Sequence, residues 1–266
     1  MRPLMLPAMN PGPMTGEGNR TWLIPGPRAV LVDAGVGDPR HLGALRLALH
    51  DASVVLESVV LTHGHSDHTA GAAAIQAEWP AVRVLKYPWP DVDGRLGVAV
   101  EPLRNEQSIP GADDGLVVVH TPGHSPDHIC LWHQPSRTLF GGDLLISGGT
   151  VVIPASRGGR LADYLRSLER VLALDPAVVL PAHGADIERP ADLIRGNLAH
   201  RSRREVQVLE ALARGPATPA MLARMIYDRL PDPLQRQAEE SVLAHLVKLE
   251  EEGRATSDGD RYSLLT

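Results

Sequence analysis

Short apolar runs, each closed by glycine, proline or a polar residue, recur along the chain: RAVLVDAG from Arg28, SVVLTHG from Ser58, VRVLKY from Val82, LVVVHTPGH from Leu116, ICLWH from Ile129, RTLFGGD from Arg137 and AVVLPAHG from Ala177. Runs of this length, rich in Val, Ile and Leu and bounded by turn formers, predict buried strands. Between some of them the period changes to that of a helix. DPRHLGALRLALHD carries Leu42, Leu45 and Leu49, TAGAAAIQAEW follows His68, and LADYLRSLERVLAL carries Leu161, Leu165, Leu168 and Leu172 at three- and four-residue steps. Alternating strands and helices predict a layered α/β domain over residues 1–195. From Gly196 the pattern is helical only, in RREVQVLEALARG, PAMLARMIYDRL and LQRQAEESVLAHLVKLEEEG, before a short β-like RATSDGDRYSLL. Three helices and a hairpin predict a small winged-helix-like domain over residues 196–266, with Val206, Leu209, Leu212, Leu222, Met225, Leu243, Leu246 and Leu249 as its core.

Composition narrows the chemistry. With 266 residues, 43% of them hydrophobic, the chain can bury a sizeable core. No run of 18 apolar residues occurs, and the first residues are broken by Pro3, Pro7, Pro11 and Pro13, so neither a membrane span nor a signal peptide is expected and a cytoplasmic location follows. Cys130 is the one cysteine, which removes disulfides and thiolate cages; a metal here has to be held by histidine and carboxylate. The net charge of −6 offers no general attraction to polyanions.

The candidate ligands share one placement. His63, His65, Asp67 and His68 follow SVVLT, His124 follows LVVVHTPG, Asp143 follows RTLFGG and His183 follows AVVLPA. Each stands where a strand gives way to a loop, and loops at one edge of a rigid sheet let residues distant in sequence converge. Imidazole and carboxylate donors suit Zn²⁺, with Mn²⁺ or Fe²⁺ as alternatives, and seven donors exceed the needs of one tetrahedral ion. Two ions sharing a carboxylate would use them all. The remaining histidines are read differently: His41, His50, His133, His200 and His245 as structural or solvent-facing, and His120 and His128, which flank His124, as residues able to orient a ligand. Cys130, inside an apolar run, reads as a core thiol.

THGHSDH matches the His-x-His-x-Asp-His motif of the metallo-β-lactamase superfamily, and LVDAG, TPGHSPDH, FGGD and LPAHG fall in that superfamily's order. The resemblance covers residues 17–195 and implies a four-layer αββα sandwich. It implies one metal held by His63, His65 and His124, a second by Asp67, His68 and His183, Asp143 as the bridge, and Asp33 as a buried support for the metal loop. With HRSRREVQVLEAL and the helical tail included, the chain is similar to the subgroup of β-lactamase-like endoribonucleases and carrier-protein thioesterases.

That resemblance implies hydrolysis by a hydroxide bridging two zinc ions, with Asp67 orienting or deprotonating the water. The expected substrate is a thioester, ester or lactone, or single-stranded RNA. Redox chemistry is disfavoured because flavodiiron relatives carry Glu where this chain has His65, and true β-lactamase activity is disfavoured by the residue at Asp143. A non-enzyme alternative makes the winged helix a DNA reader controlled by a metal sensor. The tail from Gly196 holds ten basic and eleven acidic residues, which argues against duplex DNA and for packing or homodimer formation.

Overall fold

Val and Ile crowd the pleated face of a strand without rotameric cost, and the apolar runs accordingly form two sheets. The computed structural model describes residues 2–13, 15–111, 115–227 and 231–265, the side chains of Asp232 and Pro233 excepted. The chain divides into two compact units, residues 1–121, 127–149 and 174–190 in one, and 122–126, 150–173 and 191–266 in the other.

In the first unit one sheet contains six strands in sequential order: β1 (Leu4–Pro7), β2 (Arg20–Ile24), β3 (Ala29–Val32), β4 (Leu56–Leu61), β5 (Arg83–Lys86) and β6 (Glu101–Pro102). β1, β2 and β3 pair antiparallel, whereas β3 through β6 run parallel. The second sheet orders β7 (Ser108–Ile109), β8 (Leu116–His120), β9 (Ile129–His133), β10 (Thr138–Gly142) and β11 (Val178–Pro181) side by side, antiparallel except for β10 with β11. Trp22, Val32, Val60 and Leu85 of one sheet share a core with Val118, Leu131, Phe140 and Leu180 of the other. The opposite face of the six-stranded sheet is closed by Leu45 and Leu49 of α1 (Pro39–Ala52) and by Ile75 beyond α2 (Ser66–Thr69), in α3 (Ala72–Glu78). α1 starts where its sequence says it should: the Asp38 carboxylate accepts the Arg40 amide at 2.8 Å and Pro39 takes the first turn, where no amide donor is needed.

The parallel arrangement has a consequence for the site. β3, β4 and β5 all end at the same edge, so Asp33 and the His63–His68 segment leave the sheet side by side. β10 and β11 likewise deliver Asp143 and His183 from parallel neighbours. α4 (Pro90–Asp93) follows β5.

The second unit contains α5 (Leu161–Leu174), α6 (Pro190–Leu212), α7 (Pro219–Ile226), α8 (Asp232–Glu251) and the hairpin of β12 (Ala255–Asp258) and β13 (Arg261–Leu264). An isolated antiparallel bridge between Ala217 and Tyr262 ties the segment before α7 to the hairpin. Its core is Val208, Leu212, Leu222, Val242, Leu246, Leu249 and Tyr262. Two expected members are not in it: Val206 and Met225 are exposed, because the buried stripe of α6 is set by Val208 and Leu212 and Val206 lies across the helix from Val208. The expected helix over 219–230 ends at Ile226, and residues 228–230 lie outside the described residues. Residues 195 and 196, where the apolar pattern changes, lie within the continuous helix α6. Among the described residues no helix is long and apolar enough to cross a membrane.

The Phe140 ring is fully buried between the sheets, edge-on to Trp22 at 6.2 Å between centroids. Phe140→Ala should destabilise the first unit by about 3–5 kcal/mol through lost transfer energy and the cavity left behind. Denaturant unfolding followed by tryptophan fluorescence measures the loss; an effect below about 1 kcal/mol would mean that the sheets close over the gap.

Candidate functional site

Asp33 sits one residue beyond β3 with φ of 63°, a left-handed conformation that a non-glycine residue rarely adopts. What holds it there is a set of hydrogen bonds from the next strand. Its Oδ1 accepts the Thr62 amide at 2.7 Å, and its Oδ2 accepts the Thr62 hydroxyl at 3.0 Å and His68 Nδ1 at 2.8 Å. A carboxylate can only accept, so Nδ1 of His68 carries a proton, and it is Nε2 that offers a lone pair once the ring is neutral. The Thr62 hydroxyl, spent as a donor to Asp33, accepts from His63 Nδ1 at 3.1 Å, which turns His63 Nε2 the same way.

These nitrogens meet the loops after β10 and β11. Asp143 presents its two oxygens to different histidines: Oδ2 lies 3.9 Å from His63 Nε2, and Oδ1 lies 3.5 Å from His68 Nε2 and 3.4 Å from His183 Nε2. Asp67 Oδ2 lies 3.6 Å from His68 Nε2 and 3.5 Å from His183 Nε2. His63 Nε2 is 2.9 Å from His65 Nδ1. Thus His63, His68 and Asp143 form one group able to hold a cation, and Asp67, His68 and His183 another. The spacings test the fit. Donors about 2.1 Å from a tetrahedral ion stand roughly 3.4 Å from each other, and the separations of His68 and His183 from Asp67 and Asp143, 3.4 to 3.6 Å, are close to that value, with His63 to Asp143 longer at 3.9 Å.

Electrostatics point the same way. Burial opposes a charge on His68, but the carboxylates of Asp33 and Asp143 outweigh it and raise its pKa well above the usual histidine value. His183 is raised as well, burial being outweighed by Asp67 and Asp143. Asp67 is pushed up by burial but pulled down further by the His183 hydrogen bond and the charge of His68, so it remains ionised well below the usual carboxylate range. The pocket demands positive charge at the point where the donors converge.

Three further residues place these ligands. His128 Nε2 accepts the Asp143 backbone amide at 3.0 Å, and its Nδ1 lies 3.2 Å from the Thr121 carbonyl and 2.8 Å from the Thr121 hydroxyl. Gly142 is needed beside it: φ is 48°, and a Cβ there would lie 2.6 Å from His128 Nε2. Arg20 steadies the His183 loop by donating to the Gly184 carbonyl at 2.8 Å and pairing with Asp186 at 2.7 Å. His120, by contrast, stacks on Tyr87 with ring centroids 3.9 Å apart.

His124 belongs to the segment 122–126 of the second unit. Its Nδ1 donates to the Val152 carbonyl at 2.8 Å, which points Nε2 to the other side of the ring. The segment is pinned by the Arg160 amide on the Gly123 carbonyl at 2.8 Å and the Ser167 hydroxyl on the Pro122 carbonyl at 2.7 Å.

Asn19 was not anticipated. It is 2% exposed, and its Nδ2 donates to Asp67 Oδ2 at 3.1 Å while lying 3.2 Å from His68 Nε2 and 3.5 Å from His183 Nε2. Asn10 fixes it from both ends, accepting its amide at 2.8 Å and donating to its Oδ1 at 2.7 Å. The only sequence signal is the run of turn formers around Asn10 and Gly18, which says that the backbone bends there and nothing about what the bend carries.

Asp33→Ala should leave the Thr62 amide unpaired and the His68 ring unoriented, and should weaken metal affinity by about 10- to 100-fold in a chelator competition titration. Unchanged affinity would remove Asp33 from the support of the site. Because His68 and His183 hold protons to higher pH than ordinary histidines, ion binding has to displace them, and apparent affinity should rise with pH through neutrality. Calorimetry of zinc binding in buffers of different ionisation enthalpy reads the protons released; none released would contradict the protonated metal-free state.

Residues 14–183 match the family model of the metallo-beta-lactamase superfamily, and residues 218–263 that of the beta-lactamase associated winged helix domain. The chain is 34% identical over 258 residues to a beta-lactamase-like protein 2 homolog of Drosophila melanogaster, covering 92% of this chain and 86% of the relative. It is 32% identical over 244 residues to an atrochrysone carboxyl ACP thioesterase of Aspergillus fumigatus, covering 84% and 72%. Among solved structures, a metallo-beta-lactamase family protein from Thermus thermophilus superposes with a TM-score of 0.78 at 24% identity over 99% of this chain and 98% of the other. Another, solved in a di-iron-bound form, gives 0.57 at 26% identity over 72% and 96%. The histidine and aspartate cluster at the sheet edge and these matches together make the chain a member of the metallo-beta-lactamase superfamily, a metal-dependent hydrolase followed by a beta-lactamase-associated winged helix domain.

Proposed function

We propose that the chain is a dinuclear zinc hydrolase acting on thioesters. One ion is assigned to His63, His65 and His124, the other to Asp67, His68 and His183, with Asp143 shared. The observation that carries this reading is the division of the Asp143 carboxylate, one oxygen toward His63 and the other toward His68 and His183. When bound, such ions bring the pKa of a coordinated water down to about 7 and stabilise negative charge on the oxygen under attack.

The chain's own groups organise the rest. Asp67 Oδ2 is an acceptor positioned to orient a water molecule, and Asn19 Nδ2 holds that oxygen in place. His128 and Gly142 fix the backbone of the shared aspartate, so that a change in substrate charge meets a carboxylate that does not swing. The thioester assignment is supported by the Aspergillus fumigatus relative, which is named an ACP thioesterase and aligns over most of this chain.

The winged helix is assigned a packing role and no duplex DNA. Two of its cations are engaged: Lys248 pairs with Glu205 and Glu252, both at 2.7 Å, and Arg254 pairs with Glu205 at 2.9 Å, which leaves those two residues poor phosphate neutralisers.

Metal-replete protein should contain two zinc ions per chain by elemental analysis, and Asp143→Ala should lose both the second ion and nearly all turnover. Retention of two ions and normal turnover by that variant would dismiss Asp143 as the bridge. In a panel of acyl thioesters, lactones, a cephalosporin and single-stranded RNA, thioesters should give the highest kcat/KM. Cleavage of RNA in preference to every thioester would overturn the substrate assignment and leave the metal assignment standing.

A further inference from the structure

The second unit encloses a cavity of about 230 Å³ whose walls come from α6, α8, the turn after α7 and residues 150–152. One wall is cationic. His200, Arg201 and Arg204 line it from consecutive turns of α6, and no Asp or Glu is among the described lining residues. Arg201 is 3% exposed. It donates to the Val151 carbonyl and lies 5.6 Å from the Tyr164 ring centroid, but its Nε has no hydrogen-bond partner. Arg204 stacks on Tyr227 at 3.9 Å and donates to Gln207 at 2.8 Å, and its Nε is likewise unpartnered, as is His200 Nδ1.

The contrast within α6 makes this informative. Glu205, next in sequence, gives its carboxylate to Lys248 and Arg254 on the far side, so a counterion one residue away is turned from the two arginines. A buried guanidinium without a carboxylate costs several kcal/mol unless something else neutralises it. Burial pushes the Arg201 pKa down, and burial together with the charges of Arg201, Arg204 and Arg203 does the same to His200. The rest of the lining is mixed: Val151, Val152, Leu234 and Ala238 are apolar, Thr150 and Gln237 are polar, and Ser241 stands beside the Tyr227 hydroxyl at 3.2 Å.

We propose that this cavity binds the phosphate group of a small organic phosphate monoester. Two guanidinium groups and an imidazole on one wall match a dianion with three oxygens better than a carboxylate, which one arginine fork satisfies. The apolar side chains of Val152, Leu234 and Ala238 take the carbon chain that inorganic phosphate lacks. None of the residues it uses is an assigned metal ligand, so it does not rest on the reading of the metal centre, although Val152 of its lining accepts from His124 Nδ1. It also reassigns His200, read from sequence as structural or solvent-facing, to a ligand wall.

The test is calorimetric titration of the zinc-loaded full chain with hexyl phosphate, hexanoate and inorganic phosphate. Hexyl phosphate should bind saturably and more tightly than both of the others. Arg204→Gln should weaken it by about tenfold or more, the loss expected for one charge-assisted contact. Arg203→Gln, which removes the same charge from an exposed position of the same helix, should change it by less than about twofold. Arg201→Gln should abolish binding if the chain folds, but Arg204→Gln decides the matter because that side chain is only partly buried. Equal affinity in Arg204→Gln would place the phosphate elsewhere, the metals included, and would overturn the proposal. So would hexanoate binding as tightly as hexyl phosphate, or no saturable binding at all.

Discussion

The Asp33 carboxylate joins sheet to site. It spends both oxygens on the adjacent strand's exit, taking the amide and hydroxyl of Thr62 and the Nδ1 proton of His68. Because β3 and β4 are parallel neighbours, their ends are held in register by the ladder itself, and Asp33 converts that register into a fixed tautomer and ring plane for a ligand. The strained φ of Asp33 is tolerated because three hydrogen bonds over-determine its position. The rest of the site follows the same logic: His128 fixes the backbone of Asp143, and Arg20 fixes the loop of His183. The donors are thus organised before any ion arrives, which is what lets buried imidazoles and carboxylates share so small a volume.

Much of this was legible along the chain, for a physical reason. Parallel strands end at one edge, so a histidine or aspartate just past a run of Val and Leu has a strong chance of meeting the others, and His63, His68, Asp143 and His183 do meet. Asn19 was invisible because it reaches the site from a turn preceding β2, which pairs antiparallel with β1 and β3 and lies outside the parallel strands, and nothing in its neighbours distinguishes it from an ordinary turn residue. His120 and His128 stand at the same sequence distance from His124, yet one stacks on Tyr87 and the other carries Asp143. Strand alternation separates them only when the register of β8 and β9 is known. In the second unit the helical period identified Leu212, Leu222, Leu246 and Leu249 correctly but drew in Val206 and Met225, since steps of three and four residues define a stripe whose width only the packed neighbours decide.

The two units treat charge in opposite ways. In the first, the carboxylates of Asp33, Asp67 and Asp143 surround histidines and create a demand for cations. In the second, Arg201 and Arg204 face a cavity with no described carboxylate on it, while Glu205 is committed to Lys248 and Arg254. Neither arrangement is what stability alone would select, because buried charge of one sign is costly wherever it is not neutralised. The net charge of −6 conceals this separation, and a reading of the whole chain as mildly acidic misses both poles.

Protons and metal ions compete for the first of these poles, and the sign of the competition follows from the shifts. The metal-free fold raises the pKa of His68 and His183 above the unfolded value of 6.5. Each then contributes stability that is fully present below 6.5 and is lost as pH rises through its raised value. Divalent ions act in the other direction, since they require the same nitrogens to be deprotonated and bind more tightly as pH rises. Protons on these two histidines therefore stabilise the metal-free fold where the carboxylates call for positive charge, and bound ions would supply that charge in their place. Catalysis and stability are tied to one cation demand, and the residue that links it to the sheet is Asp33.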